Sequence, residues 1–260
     1  MTQPLVFITG ASSGLGREYA RLLSNEPDLD ELWLIARRQP RLERLQEELP
    51  ATCRLIPCDL TAESSLTLIQ QQLAAVAAPE IRWLINAAGF GRIGRCTEID
   101  RETSARLIDL NCRAAVSLTQ MALPFMAAGS HIMEICSCAA FQPIPYLAAY
   151  AASKAFLLSY SRALGAELAP QHIEVTAVCP YWVRDTEFIT RAIESDHSGI
   201  FQGFPLTCSQ TEVAERSLRA AHNHVKVCTP DMVSFLHRIA ASIFPHSWLL
   251  YISEFYRRFA

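Results

Sequence analysis

Short, unbroken apolar runs alternate with longer helical patterns along most of this chain, and that alternation limits the folds open to it. Residues 5–8, 32–36, 55–56, 83–86, 132–136, 173–179 and 225–228 read as strands. Between them 14–23, 41–49, 64–76, 102–126 and 148–168 carry helical periodicity. A strand with one wet face alternates apolar and polar residues; these do not, so each is expected to be buried on both faces. The expected fold is α/β: a doubly wound, Rossmann-like parallel sheet of about seven strands, as a single domain over residues 1–260. In such a sheet ligands bind beyond the C-terminal ends of the strands, so chemistry is sought in the residues that follow each strand.

Two segments depart from the rhythm. Residues 181–209 form a long connection of mixed polar and aromatic residues, expected to be a lid. Residues 231–260 read as a helical, apolar tail, expected to pack on its own domain or on a second subunit rather than on a membrane surface.

Composition narrows the function. Half of the residues are hydrophobic and 19% are charged, which fits a core-forming chain. The net charge of -3, with no basic run longer than two residues, argues against nucleic-acid binding. No apolar stretch reaches the roughly 18 residues a membrane span needs. Met1-Thr2-Gln3-Pro4 lacks the basic start of a secretory signal, so a cytoplasmic protein is expected. The nine cysteines are scattered without C-x-x-C spacing and the seven histidines without zinc spacing, so free thiols and no metal are expected.

Three features carry chemistry. After the first strand comes Thr9-Gly10-Ala11-Ser12-Ser13-Gly14-Leu15-Gly16, running into a helix. Glycines bring bare backbone N–H groups up to a phosphate, and the helix N-terminus adds its dipole. Second, only two of the 23 basic residues are lysine, and Lys154 lies four residues after Tyr150 in an alanine-rich helix. One turn apart on one face, an ammonium beside a phenol is expected to lower the tyrosine pKa and make it a general acid or base. Third, the second strand ends Ile35-Ala36-Arg37-Arg38. An acid there would bind the ribose hydroxyls of NAD; two guanidiniums instead suit a 2′-phosphate, so NADP(H) is the expected cofactor.

The glycine pattern together with Tyr150 and Lys154 resembles the short-chain dehydrogenase/reductase family, over residues 5 to about 186. The resemblance implies a catalytic tetrad of Asn111, Ser137, Tyr150 and Lys154. It also implies cofactor contacts from Gly10, Ser12, Ser13, Gly14, Leu15, Gly16, Arg37, Arg38, Asp59, Leu60, Asn86, Ala87, Gly89, Tyr150, Lys154, Val183 and Thr186. Asn86-Ala87-Ala88-Gly89 is similar to the family's N-N-A-G, and Ser137 precedes Tyr150 by the family's usual thirteen residues. Two departures stand out: Cys136 precedes Ser137 where the family has serine, and Pro180-Tyr181 replaces its P-G.

By this resemblance Tyr150 exchanges a proton with the substrate oxygen, Lys154 tunes it and holds the nicotinamide ribose, Ser137 polarises the oxygen, and Asn111 holds a water. The resemblance further implies a homodimer or homotetramer. Phe141, Tyr181, Trp182 and Phe188 join Ser137 and Tyr150 as expected substrate contacts, with Pro143, Ile144, Tyr146, Ile189, Phe201, Phe204 and Leu206 around them. Such walls suit a lipophilic carbonyl or alcohol: a steroid, an acyl chain or an aromatic ketone. The alternative is a catalytically inactive NADP(H)-binding sensor or scaffold, whose mark would be a broken tetrad; all four residues are present.

Overall fold

The computed structural model describes residues 2–194 and 206–251, the side chains of 191–194 excepted. Phe201, Phe204, most of the centre of the 181–209 segment and the last nine residues of the tail lie outside the described residues.

Seven parallel strands form one sheet. In chain order they are β1 (Gln3–Thr9), β2 (Glu31–Ala36), β3 (Cys53–Pro57), β4 (Pro79–Asn86), β5 (His131–Ile135), β6 (Glu174–Val178) and, after two short strands introduced below, β9 (Val227–Cys228). Their spatial order is β3-β2-β1-β4-β5-β6-β9. Chain order therefore reverses between β1 and β4, and the crevice for a ligand opens there. Val6 and Ile8 of β1 face a core shared with Leu32, Leu34 and Ile85, and with Tyr19 of helix α1 (Gly14–Leu23). Leu5 and Phe7 face the opposite core, with Trp33, Ile35 and Leu84. Both faces of β1, of β2 and of the end of β4 are thus apolar, which is why those runs are unbroken. Burying each such side chain stabilises the fold by about 1.5–3 kcal/mol.

Helices α2 (Gln39–Glu48), α3 (Glu63–Ala74) and α6 (Ala148–Leu168) follow the expected positions. The expected single helix over 102–126 is a composite. It comprises α4 (Arg101–Ile108), a π-helical stretch (Asp109–Ala114), α5 (Ala115–Ala122) and a closing 3-10 turn (Leu123–Phe125). Single π turns inside helices often mark functional sites, and this one carries Asn111.

The 181–209 segment has more structure than a bare connection. It contains β7 (Val183–Arg184), α7 (Glu187–Glu194) and β8 (Cys208–Ser209), with β7 and β8 paired in parallel. Helix α8 (Gln210–His222) follows, opened by a capping box of Ser209 and Glu212. It lies on α1, where the Tyr19 and Ser217 hydroxyls are 2.6 Å apart. The tail begins with α9 (Met232–Ile243), capped by Asp231. One Asp231 oxygen accepts from Ser234 N at 2.7 Å and the other from Tyr181 N at 3.0 Å, tying the tail to the loop after β6. On its own domain α9 buries little: Ser234 is its one fully buried residue, and Met232, Phe235, Leu236, Ile239 and Ile243 are exposed.

Candidate active site

A cleft of ≈ 640 Å³ opens over the C-terminal ends of the strands, lined at one end by the β1–α1 loop and at the other by Ser137, Tyr150 and the segment after β6. The loop's geometry depends on glycine. Gly10 sits at φ +68°, and a Cβ there would come within 3.0 Å of the Ala87 and Ala88 backbone. A Cβ on Gly16 would lie 2.6 Å from the Gly10 carbonyl oxygen, so only glycine lets α1 start this close to the loop. Thr9 closes the base of the crevice: its hydroxyl donates to Ile85 O at 3.3 Å and accepts from Ala88 N at 3.0 Å. No acid occupies the first turn of α1 and no side chain caps it, which leaves its positive end open to an anion.

The two arginines at the end of β2 have different surroundings. Arg38 donates from Nη2 to Ser12 Oγ (3.1 Å) and Ser13 Oγ (2.7 Å), and from Nη1 to Glu187 Oε2 (2.6 Å). Arg37 is half exposed and reaches toward Asp59 Oδ2 at 3.9 Å. Asp59 itself is held by the Thr61 backbone N–H (3.0 Å) and hydroxyl (2.8 Å). Leu60, Ala87, Gly89, Val183 and Thr186 also line the cleft, as do Ser12, Ser13, Gly14 and Leu15.

At the other end, α6 brings Tyr150 and Lys154 under the cleft floor, 8% and 5% exposed. Lys154 Nζ donates to Ile135 O at 2.7 Å and lies 5.8 Å from the Tyr150 ring centre. Ser137 ends β5, and its hydroxyl accepts from Ala139 N at 3.1 Å. The expectation of a lowered tyrosine pKa is corrected here. Burial pushes the Tyr150 phenol well above its ordinary value, with the Ser137 hydroxyl pulling it back only in part. Burial also lowers the Lys154 ammonium, against nearby thiols and Glu134 that raise it. Proximity to a cation does not outweigh loss of water around a phenol so deeply placed.

Asn111 stands behind the cleft wall. Its amide donates to Phe90 O and Ser153 Oγ, both at 3.0 Å, and accepts from Phe90 N at 3.1 Å. Of the expected cofactor and substrate contacts three more are not in the lining, Gly16, Asn86 and Phe141; of the residues expected around the substrate, Ile144 lines the cleft, and Pro143, Tyr146, Ile189 and Leu206 do not. Gly16 acts through close packing. Phe141 packs beside Leu157 and Leu158 and edge-on to His237 at 6.1 Å. Asn86, 4% exposed, points into the core, where its amide donates to Glu134 Oε1 at 2.7 Å and Thr119 Oγ1 at 3.1 Å.

Sequence reasoning missed four residues. Glu134 is fully buried on β5, and burial raises its carboxyl to about 7 against the Asn86 and Thr119 hydrogen bonds and the Lys154 charge. The signal was present as a lone acid inside Ile132-Met133-Glu134-Ile135. Glu187 and His237 approach the cleft from segments with no local motif. Gly91 lets the Phe188 ring come close: a Cβ there would be 2.8 Å from Phe188 Cζ and 3.1 Å from Tyr150 Cδ2. Phe188 covers Tyr150 with ring centres 5.3 Å apart, and Trp182 lies 6.1 Å beyond.

Residues 4–196 match a family model described as short chain dehydrogenase. Dehydrogenase/reductase SDR family member 7B of Danio rerio is 34% identical over 204 residues, 75% of this chain and 65% of that protein. Among solved structures, a short-chain dehydrogenase from Sphingobium yanoikuyae in complex with NADPH superposes with a TM-score of 0.76 at 29% identity, covering 93% of this chain and 96% of that one. The bulky-bulky ketone specific alcohol dehydrogenase from Comamonas testosteroni gives 0.73 at 27% identity, covering 94% and 96%.

Proposed function

The chain belongs to the short-chain dehydrogenase family, and from that premise we propose an NADP(H)-dependent oxidoreductase that interconverts a carbonyl and a secondary alcohol on a lipophilic substrate. One observation supports this reading above the others. Ser137, Tyr150 and Lys154 meet at one end of a cleft whose other end holds the glycine loop and Arg38. The Gly10 and Gly16 positions have no room for a Cβ, so the loop packs closely against the chain after β4 and the start of α1. Arg38 with the Ser12 and Ser13 hydroxyls is a donor set for a phosphate. A Cβ on Gly89 would meet Asn111 Oδ1 at 3.0 Å and Lys154 Nζ at 3.4 Å, so that stretch of wall is also kept clear.

When bound, the cofactor supplies or accepts the hydride. The chain's part is position and proton. Tyr150 holds the proton at its phenolic oxygen, kept there by burial, and delivers it to the substrate oxygen. The Ser137 hydroxyl orients that oxygen and polarises it. Lys154, set by the Ile135 carbonyl, places positive charge beneath the phenol and eases its passage through phenolate. Asn111 fixes the Phe90 backbone and the Ser153 side chain, and so the wall behind Lys154. Tyr181, Trp182 and Phe188 exclude water and take the apolar body of the substrate. The Comamonas enzyme's specificity for bulky ketones agrees with this aromatic wall. A homodimer or homotetramer is the proposed assembly.

Fluorescence titration with NADPH and NADH tests the cofactor reading. NADPH is expected to bind on the order of tenfold to a hundredfold more tightly, from charge-assisted bonds of about 1.5–3 kcal/mol. Arg38→Asp should erase that margin. Equal affinities in the unmodified protein would reject NADP(H), and inertness toward a panel of bulky ketones and alcohols would favour a sensor.

A further inference from the structure

Glu187 belongs to no part of the proposed reaction, yet it occupies the place where a 2′-phosphate would be read. It is the first residue of α7. One carboxylate oxygen accepts from Arg38 Nη1 at 2.6 Å, and the other is paired with Arg41. The same Arg38 holds the Ser12 and Ser13 hydroxyls through Nη2. A carboxylate of the chain itself thus takes the guanidiniums of Arg38 and Arg41, beside the two serine hydroxyls that Arg38 holds. Burial raises that carboxyl, but Arg38 and Arg41 outweigh burial and hold it down at about 2, so it is ionised throughout the neutral range. The next residue is Phe188, whose ring covers Tyr150 at 5.3 Å and meets Trp182 at 6.1 Å. The first turn of α7 therefore touches both ends of the cleft.

The geometry points to Glu187 as an internal stand-in for the ribose 2′-phosphate: a 2′-phosphorylated nucleotide expels it from Arg38 and Arg41, and its departure carries Phe188 away from Tyr150. This rests on the NADP(H) reading and deepens it. A phosphate brings more charge and more acceptor oxygens than a carboxylate, so it wins the guanidiniums. A carboxylate and a phosphate cannot share these guanidiniums, because like charges in contact repel. A nucleotide lacking the phosphate leaves Glu187 in place and Phe188 over the phenol. Cofactor choice is then expressed in the access of substrate to Tyr150 as well as in affinity.

The test needs no turnover. Full-length protein is titrated calorimetrically with adenosine 2′,5′-bisphosphate and with 5′-AMP, and amide hydrogen exchange is followed across Glu187–Glu194. In the unmodified protein the bisphosphate is expected to speed exchange in that helix, although ligands usually slow it; 5′-AMP is expected to leave it unchanged. Glu187→Gln is expected to bind the bisphosphate roughly threefold to tenfold more tightly, the scale of partly exposed ion pairs. Its helix should exchange fast without ligand. If the bisphosphate binds and exchange in the helix stays the same or slows, the latch is wrong while the NADP(H) reading stands. Tighter binding by Glu187→Gln with an unchanged helix would reduce Glu187 to simple repulsion and also overturn the latch. Failure of the bisphosphate to bind at all would overturn both.

Discussion

Helices α6 and α9 have the same apolar content and opposite fates. By composition 14 of 21 residues in α6 and 8 of 12 in α9 are hydrophobic, two thirds of each. Ten residues of α6 are buried, including Tyr150 and Lys154; in α9 only Ser234 is. The difference lies in size and placement. Four of the ten buried positions of α6 are Ala151, Ser153, Ser161 and Gly165, which let the helix lie close on the sheet. A Cβ on Gly165 would already touch Val175 Cβ at 3.4 Å. The apolar stripe of α9 is made of large side chains with no sheet beneath them, and the helix is held through Asp231 and its His237 edge. Apolarity states what a helix can bury; small residues state how near it can come.

The largest effect is expected at the buried polar pair of α6. Tyr150→Phe is expected to lower turnover of a confirmed substrate by roughly 10²–10⁴, the usual contribution of a positioned proton donor. Cofactor affinity should stay within about twofold. Lys154→Arg should lose a similar factor and weaken cofactor binding too, because a planar guanidinium cannot replace a compact ammonium in a pocket this tight. Steady-state rates and cofactor titrations on both variants decide the matter. A near-normal rate from either folded variant would remove α6 from the chemistry.

The order of strands and helices, the glycine loop and the Tyr150–Lys154 pair were legible because each is a local signal: unbroken apolar runs, glycines at a strand end, two residues one turn apart. The extent of the 102–126 helix was legible, but its π-helical stretch was not, since one altered turn leaves hydrophobic periodicity almost unchanged. Helix α8 has a local start signal in Ser209-Gln210-Thr211-Glu212, a capping box. Arg37 and Arg38 are equivalent in sequence; only the fold shows Arg38 turned to Ser12 and Ser13. Glu187 and His237 enter the cleft from elements placed by contacts distant in sequence, and no spacing rule reaches them. The direction of the Tyr150 pKa is not legible, because proximity to a charge can be read from sequence and depth of burial cannot.

A second test goes one layer below α6, to Glu134 on β5. Glu134 Oε2 and Asn86 Oδ1 have no hydrogen-bond partner among the described residues, although Asn86 Nδ2 donates to Glu134 Oε1. A protonated Glu134 could serve Asn86 Oδ1 and satisfy both. Its carboxyl is raised from 4.5 to about 7, burial being the main cause. The folded state then holds the proton more tightly than the unfolded chain. The resulting stability is fully present below about pH 4.5 and lost as pH rises through 7, by on the order of 3 kcal/mol. His131 acts in the opposite sense: burial lowers it from 6.5 to about 4, so its stability is present above 6.5 and lost as pH falls. Comparing the protein with Glu134→Gln cancels the histidine. The glutamine supplies an acceptor and a donor at any pH. The variant should therefore gain stability over the unmodified protein between pH 4.5 and 8 in denaturant titrations. A difference that is flat across that range would mean no proton is held under α6.

The smallest effect is expected on α9, and its smallness is the informative part. Leu157 of α6 is 2% exposed and Leu236 of α9 is 57% exposed. Leu157→Ala removes buried methyl groups and leaves a cavity, at a cost of about 2–5 kcal/mol. Leu236→Ser removes a side chain already in water, and should change the stability of an isolated chain by about 0.5 kcal/mol or less. The pair is best measured by urea unfolding at two protein concentrations differing a hundredfold. If Leu236→Ser proves nearly neutral at both, the exposure of α9 is a property of the chain in solution and the contrast with α6 holds. If it costs as much as Leu157→Ala, and more at the higher concentration, then another copy covers the stripe, because association stabilises by mass action. In that event the two helices would differ only in what buries them: the sheet for α6 and a second chain for α9.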